Sequence, residues 1–347
     1  MKIWVVLAIL FLGGFLPAGA NSEDFVPGDA EVYRGKKVLW INSYHEGYLW
    51  ADGISQGIRQ TLSGSGVEFK AWHMNTLRNR SEAYGRQAGN SARRVVEEYT
   101  PDVIIASDDN AQRFLVVPYL RESNLPVIFC GVNRDPREYG YPAANVTGMH
   151  EVDFVVDLVK QMRPFAGGDR IGLIACQRKT DQIIADDYNR HFFGERLKVY
   201  LVNTFDEFKE AFLRAQQEVD ILCLTNNAGI EGWQNEAAET FITEHIRIPT
   251  GGLNAWMTPY VIFNLSKIPE EQGAYAATTA LRILAGARPG DIPVVQNDEA
   301  RLTVNLKMAQ AAGIVVPVSL LQTAEVIGLE ALQPINQTSE SKGETNE

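Results

Sequence analysis

The chain is 347 residues long, 45% apolar and 22% charged, with a formal net charge of −11. That composition is globular, and the length allows two domains of ordinary size. Its acidity and the lack of any Lys/Arg block exclude nucleic acid as a partner, because phosphate neutralisation needs a basic face.

The first twenty residues read as a secretory signal. Lys2 gives a positive start, Ile3 to Leu16 is almost wholly apolar, and Ala18-Gly19-Ala20 supplies the small residues of a cleavage site. The apolar run is about 14 residues, short of the roughly 20 that span a bilayer. Cleavage before Asn21 is therefore expected. The first cysteine is Cys130, far from any lipid-attachment position, so the expectation is a soluble protein exported to the periplasm.

After a polar leader the pattern becomes regular. Lys37–Asn42 reads as a strand, followed by a loop from Ser43 and a helix through about Leu62. Phe69–Met74 is a second strand, with a helix over Ser81–Tyr99. Val103–Ala106 is a third strand and Ala111–Arg121 a helix. Pro126–Cys130 is a fourth strand, ending at Gly131. Continuously apolar strands alternating with helices imply a parallel sheet buried on both faces. The segment Asn133–Gly148, rich in Pro, Gly and Asn, reads as a crossover.

The cycle then restarts. Helices are expected over Val152–Met162, Asp181–Phe193, Asp206–Gln217 and Glu231–His245. Strands are expected over Arg170–Cys176, Leu197–Val202, Asp220–Leu224 and Pro249–Leu253. A further helix, Glu270–Ala285, stops at Gly286 with Pro289 beyond, as helix-stop rules require. The tail after Pro334 is polar and is expected to be disordered over residues 331–347. The fold class is α/β, with two doubly wound parallel-sheet domains joined by a hinge. In open sheets of this kind ligands bind at the carboxyl ends of the strands.

Candidate site residues follow from those strand ends. The loop Ser43-Tyr44-His45-Glu46-Gly47-Tyr48-Leu49-Trp50 gathers hydroxyls and aromatic rings, and Ser43, Tyr44 and Trp50 are taken as ligand-binding. Tyr48 and Trp50 equally suit internal packing in a first helical turn. Asp108 and Asp109 follow the third strand; one residue of this stretch suffices as a helix cap, so a surplus carboxylate is free to pair with a ligand ammonium. Asn133 follows the fourth strand, where it either binds ligand or makes a plain turn. In the second unit Gln177, Asn226 and Asn227 stand at strand ends, where they suit a polar ligand or an Asx-turn. Asn254 sits where the chain crosses back, and Trp256 beside it suits hinge packing better than a lid.

No catalytic set emerges. The chain has no GxSxG elbow, no P-loop and no HExxH, and its adjacent carboxylate pairs do not make an acid/base dyad on a helix. Neither enzyme activity, cofactor nor metal is expected. The cysteines Cys130, Cys176 and Cys223 lie in apolar runs and read as buried small hydrophobes, a disulfide between two of them remaining open.

Several segments carry a resemblance. Pro126-Val127-Ile128-Phe129 with Gly131-Val132-Asn133-Arg134-Asp135-Pro136, Asn145-Val146-Thr147-Gly148, Gly273 to Pro293, Val304 to Ala309, and Ala312 to Pro317 with Ser319-Leu320-Leu321 are similar to segments of the periplasmic substrate-binding proteins of ABC transporters. Within that family the chain resembles the group that includes aromatic amino-acid binders. The resemblance covers roughly residues 36–330 and implies a type I periplasmic-binding fold with interleaved lobes. One lobe is expected over residues 36–147 plus 255–292 and the other over 148–254 plus 293–330. It further implies a monomer that takes a small polar or aromatic organic ligand, possible examples being an amino acid, a nucleoside or a sugar, and delivers it to an ABC permease in the inner membrane. The alternatives are a partner of a membrane sensor kinase and, from a different class, an exported hydrolase or lyase. A free amino acid needs a partner for its carboxylate, for which only Arg134 and Arg178 offer themselves.

Overall fold

The computed structural model describes residues 30–329. The signal sequence, its cleavage point at Asn21 and most of the C-terminal tail lie outside the described residues. No helix among the described residues is long and apolar enough to cross a membrane.

The first part of the chain comprises α1 (Ala30–Tyr33), β1 (Lys37–Asn42), α2 (Leu49–Leu62), β2 (Glu68–His73), α3 (Glu82–Tyr99), β3 (Val103–Ser107), α4 (Asp108–Ala111), β4 (Val127–Val132) and β5 (Val146–His150). The second comprises α5 (Val155–Met162), β6 (Ile171–Cys176), α6 (Lys179–His191), β7 (Lys198–Val202), α7 (Phe205–Glu218), β8 (Ile221–Leu224), α8 (Asn235–His245), β9 (Thr250–Gly252) and β10 (Phe263–Lys267). Then come α9 (Pro269–Leu284), β11 (Val295–Gln296), β12 (Ala300–Asn305), α10 (Leu306–Ala311), α11 (Val318–Leu321) and β13 (Glu325–Ile327).

These strands form two sheets. The six-stranded sheet has the order β11-β5-β4-β3-β1-β2, and the seven-stranded sheet β13-β12-β10-β9-β8-β6-β7. All pairings are parallel except β10 with β12. The central strands β1, β3, β4, β6 and β8 are buried almost throughout. Their continuous Val/Ile/Leu character follows from helices covering both faces. Each lobe holds its own apolar core.

Two expectations about organisation need correction. The expected crossover Asn133–Gly148 contains the start of β5, which pairs with β4 from Val127↔Val146. The strand was hidden because its Thr147 and Gly148 interrupt the apolar run, and Gly148 is required: a Cβ there would lie 2.1 Å from the Phe129 carbonyl oxygen. The lobe boundaries also shift. β10 lies in the second sheet although it was expected in the first lobe, and β11 lies in the first sheet although it was expected in the second. The chain thus crosses between lobes after β5, after β10 and after β11. A smaller difference concerns the helix expected over Ala111–Arg121, which is a π-helix over Gln112–Leu120 running on from α4.

Glycines set how α9 meets the first lobe. A Cβ at Gly57 would lie 2.1 Å from the Glu270 carbonyl oxygen, and one at Gly273 would lie 2.1 Å from that of Ile54. Backbones of α2 and α9 therefore approach without intervening side chains. This contact fixes Glu270, at the start of α9, against Gly53 and Gly57 of α2.

The crossings are tied to one another. The Val152 N–H donates to the Asn297 side-chain oxygen at 2.6 Å, and the Asn297 amide returns a bond to the Val152 carbonyl at 3.2 Å. The Glu271 carboxylate accepts from the backbone N–H groups of Asp298 and Glu299.

Candidate functional site

A cleft of about 560 Å³ opens between the lobes at the carboxyl ends of the strands. That volume suits a small organic molecule. The first lobe contributes Tyr44, Tyr48 and Trp50, then Asp108, Asn133 and Glu151. Across it stand Asn254, Trp256, Lys267 and Arg301, with Glu270 at the base of α9.

The aromatic wall comes from the loop after β1. Tyr44 and Tyr48 meet edge to face, with ring centroids 5.2 Å apart. Burial, then the nearby Asp108 and Asp109, holds the Tyr44 hydroxyl neutral well above its ordinary pKa. Trp50 turns its indole N–H onto Asp108 Oδ1 at 3.0 Å. Trp256, about half exposed, stands in the opposite wall and lines the cleft rather than packing into the hinge.

Asp108 is the unusual residue. It is 1% exposed, and its φ of 67° places a non-glycine residue in the left-handed region. Oδ1 accepts from Trp50, but the buried Oδ2 has no hydrogen-bond partner in the protein. Burial, then the charges of Glu151 and Asp109, raises its pKa well above the carboxylate range. A buried carboxylate oxygen without a donor is costly, and such cost is concentrated at functional sites. Gly131 makes room for it: a Cβ there would lie 3.0 Å from Asp108 Oδ1 and 3.3 Å from the Trp50 indole nitrogen. A second buried carboxylate oxygen lining the cleft, Glu270 Oε2, also lacks a protein donor.

The neighbouring Asp109 is spent differently. Its Oδ1 accepts from the Tyr139 hydroxyl at 2.7 Å, and its two oxygens accept from the backbone N–H groups of Asn133 and Arg134 at 3.4 Å. It orders the loop after β4 and does not line the cleft. Ser43 is likewise structural. Fully buried, its hydroxyl donates to the Ser107 carbonyl at 2.6 Å and accepts from the Ala111 N–H at 2.8 Å. The cap of α4 thus comes from a distant loop, while Ser107 makes no side-chain cap of its own.

On the second lobe only part of the expected set lines the cleft. Asn254 lines the cleft and donates to the Thr225 carbonyl at 2.8 Å. Asn226 makes an Asx-turn to the Ala228 N–H at 2.9 Å and lines a smaller recess of about 60 Å³ with Asp153, Tyr188 and Asn254. Gln177 is exposed and accepts from Asn203 at 2.9 Å, and neither it nor Asn227 is among the residues lining the cleft. The two arginines considered for a carboxylate are occupied: Arg134 pairs with Glu138, and Arg178 with Asp181. Arg301 at the cleft edge is the arginine in reach of the ligand space.

The residues missed by sequence are the charges at the crossings. Lys267, at the end of β10, is buried between Glu151 and Asp153, with its ammonium 2.6 Å from Asp153 Oδ1 and in contact with Glu151 Oε1. The Tyr188 hydroxyl donates to the other oxygen of Asp153. Glu151 Oε2 accepts from the Asn133 amide at 3.2 Å. Burial dominates Glu151 and lifts its pKa to about 7 although Lys267 pulls it down. For Asp153 burial also pushes upward, but Lys267 and Tyr188 prevail and its pKa falls below the ordinary value. The spacing Glu151-Val152-Asp153 directly after a strand was the available signal, obscured because β5 was not recognised.

No group of His, Cys, Asp and Glu among the described residues is arranged to hold a metal. The cysteines are buried and free, which leaves the open question of a disulfide answered for the described residues.

Comparison with known proteins places this geometry. The family model for ABC transporter substrate binding proteins matches residues 264–327, spanning β10 through β13. The fold is similar to a ligand-free, open substrate-binding protein with adhesive properties from Clostridium difficile, with a TM-score of 0.65, 16% identity, and coverage of 84% of this chain and 99% of that one. It is similar to an ABC domain in complex with L-Trp from Streptococcus pneumonia, with a TM-score of 0.57, 18% identity, and coverage of 84% and 99%. A periplasmic ribose ABC transporter protein from Conexibacter woesei aligns with a TM-score of 0.54, 16% identity, and coverage of 84% and 98%. No curated protein sequence matches the chain. The chain therefore has the type I periplasmic-binding fold and resembles ABC transporter substrate-binding proteins, a family of solute binders.

Proposed function

We propose that the protein is an extracytoplasmic solute receptor that captures a small organic ligand bearing a cationic amino group and an aromatic or planar body, and delivers it to an ABC permease. The observation that carries the ligand chemistry is Asp108, a residue lining the aromatic side of the cleft whose buried Oδ2 has no donor. A ligand ammonium supplies the missing donor and charge together. The ring faces of Tyr44, Tyr48 and Trp50 add stacking and cation–π attraction. Arg301 stands ready for a carboxylate on the same ligand, which favours a free amino acid over a sugar. The L-Trp complex of the similar Streptococcus protein supports that class.

Capture works by closure. The lobes have separate cores and join through the crossings after β5, β10 and β11, so rotation at those crossings costs little core packing. A ligand favours the closed form only through contacts that need both walls. Asp108 with the tyrosines on one side and Asn254, Trp256 and Arg301 on the other are those walls. A thermal-shift screen of amines, amino acids, sugars and organic anions tests the class. A ligand at a hundred times its dissociation constant adds about 2.7 kcal/mol of stability. The expected hits are aromatic amines and amino acids. Hits confined to sugars or anions would exclude the cationic assignment.

A further inference from the structure

We propose that the cleft takes its ligand cation in exchange for a proton: Asp108 is a carboxylic acid in the unliganded protein and releases its hydrogen to solvent when an ammonium is seated against it. The inference rests on the cationic reading of the cleft given above. The step balances. The ligand arrives as the ammonium, the Asp108 O–H bond breaks, the electron pair stays on the carboxylate, and one proton leaves to buffer.

The geometry around Asp108 supplies no other counter-charge. Lys267, the lysine that lines the cleft, is already engaged by Glu151 and Asp153. The groups that act on Asp108 with charge are the carboxylates of Glu151 and Asp109, and both oppose its ionisation. From α2 it receives only the Trp50 indole N–H. Behind it on β4 lies the Cys130 thiol, held neutral by burial. The hydroxyls of Tyr44 and Tyr48 above it are neutral as well, burial being the main cause. Glu270 on α9 lines the same space with a further carboxylate, and Arg301 stands on β12 in the opposite wall.

Glu151 has its own partners. It faces Lys267 from β10, Asp153 beyond the same crossing, Asp109 from α4 and the Asn133 amide. His150 beside it is pushed toward its neutral form, chiefly by burial. Glu151 is already matched by the Lys267 ammonium, so the proton that the ligand displaces is the one on Asp108. Binding and proton release are linked, so affinity must rise with pH wherever the free protein holds more protons than the complex. The slope reaches ten-fold per pH unit for one proton released.

Tryptamine is the probe, with indole as its uncharged counterpart. Calorimetric titration at pH 7 in phosphate and in Tris, whose ionisation heats differ, counts the protons. The expected result is about one proton released per tryptamine, an affinity at pH 7 several-fold to ten-fold above that at pH 6, and no proton release with indole. An infrared spectrum of the unliganded protein at pH 7 should show a protonated carboxyl band that Asp108→Asn removes. Tryptamine binding with no proton release and a flat pH profile would overturn the exchange and leave the cationic reading standing. Absence of tryptamine binding at any pH would overturn both. A carboxyl spectrum unchanged by Asp108→Asn would overturn the exchange whatever binds.

Discussion

Replacing Glu151 by Gln probes the charge balance where the lobes join. Glu151 is 6% exposed, and burial lifts its pKa from 4.5 to about 7 against the pull of Lys267. An acid with a raised folded-state pKa holds its proton more tightly in the native state than in the unfolded chain. Its contribution to stability is therefore complete below about pH 4.5 and is lost as pH rises through about 7. At about 1.36 kcal/mol per pH unit, the rise from 4.5 to about 7 amounts to a loss of about 3 kcal/mol at alkaline pH. Gln has no proton to lose, and its amide oxygen can still accept from Lys267, which keeps Asp153 as its ionic partner. Asp153 is depressed, so its own contribution is lost as pH falls, and it is present in both proteins. Urea denaturation at pH 5 and pH 8 reads the difference. Wild-type stability relative to the variant should fall by about 2–3 kcal/mol between those values. Parallel pH profiles for the two proteins would show that Glu151 does not carry the burial cost assigned to it.

Other substitutions test the packing that positions the site. Gly131→Ala forces a left-handed residue (φ 64°) to carry a Cβ 3.0 Å from Asp108 Oδ1. It should cost about 1–2 kcal/mol in denaturation and weaken ligand binding by moving Asp108 or Trp50. Gly273→Ala sets a Cβ against the Ile54 carbonyl, and should lower stability by about 1–3 kcal/mol as α9 is pushed off α2. In thiol titration, Cys130, Cys176 and Cys223 should stay unlabelled in the native protein and all react after denaturation, being buried and free. Rapid native labelling would show that a strand end opens.

The alternation of strands and helices was legible in the sequence because parallel strands buried on both faces have no polar alternation to confuse. Val103–Ser107 and Ile171–Cys176 are examples. β5 was not legible, since Gly148 is dictated by a close approach to Phe129, and Thr147 by a hydrogen bond to the Ile292 carbonyl, that only the fold reveals. The sheet to which β10 and β11 belong was also hidden, because strand pairing partners lie far apart along the chain. At the site, Tyr44, Trp50, Asp108, Asn133 and Asn254, singled out from strand ends and the returning crossover, line the cleft. Ser43 and Asp109 do not line the cleft; a hydroxyl that caps a helix and a carboxylate that orders a loop look like ligand groups in sequence. Lys267 and Glu151 carry no motif that would single them out, and burial between lobes is what makes them part of the cleft.

The most direct test is a calorimetric titration of the tightest-binding amine from the screen into the wild type and into Asp108→Asn. The Asn side chain preserves shape and the Trp50 contact but removes the charge that meets the ammonium. A charged hydrogen bond contributes about 1.5–3 kcal/mol, so the predicted loss is roughly ten- to 150-fold in affinity. Equal affinity in the two proteins would contradict the assignment of Asp108 as the cation-binding group of the cleft.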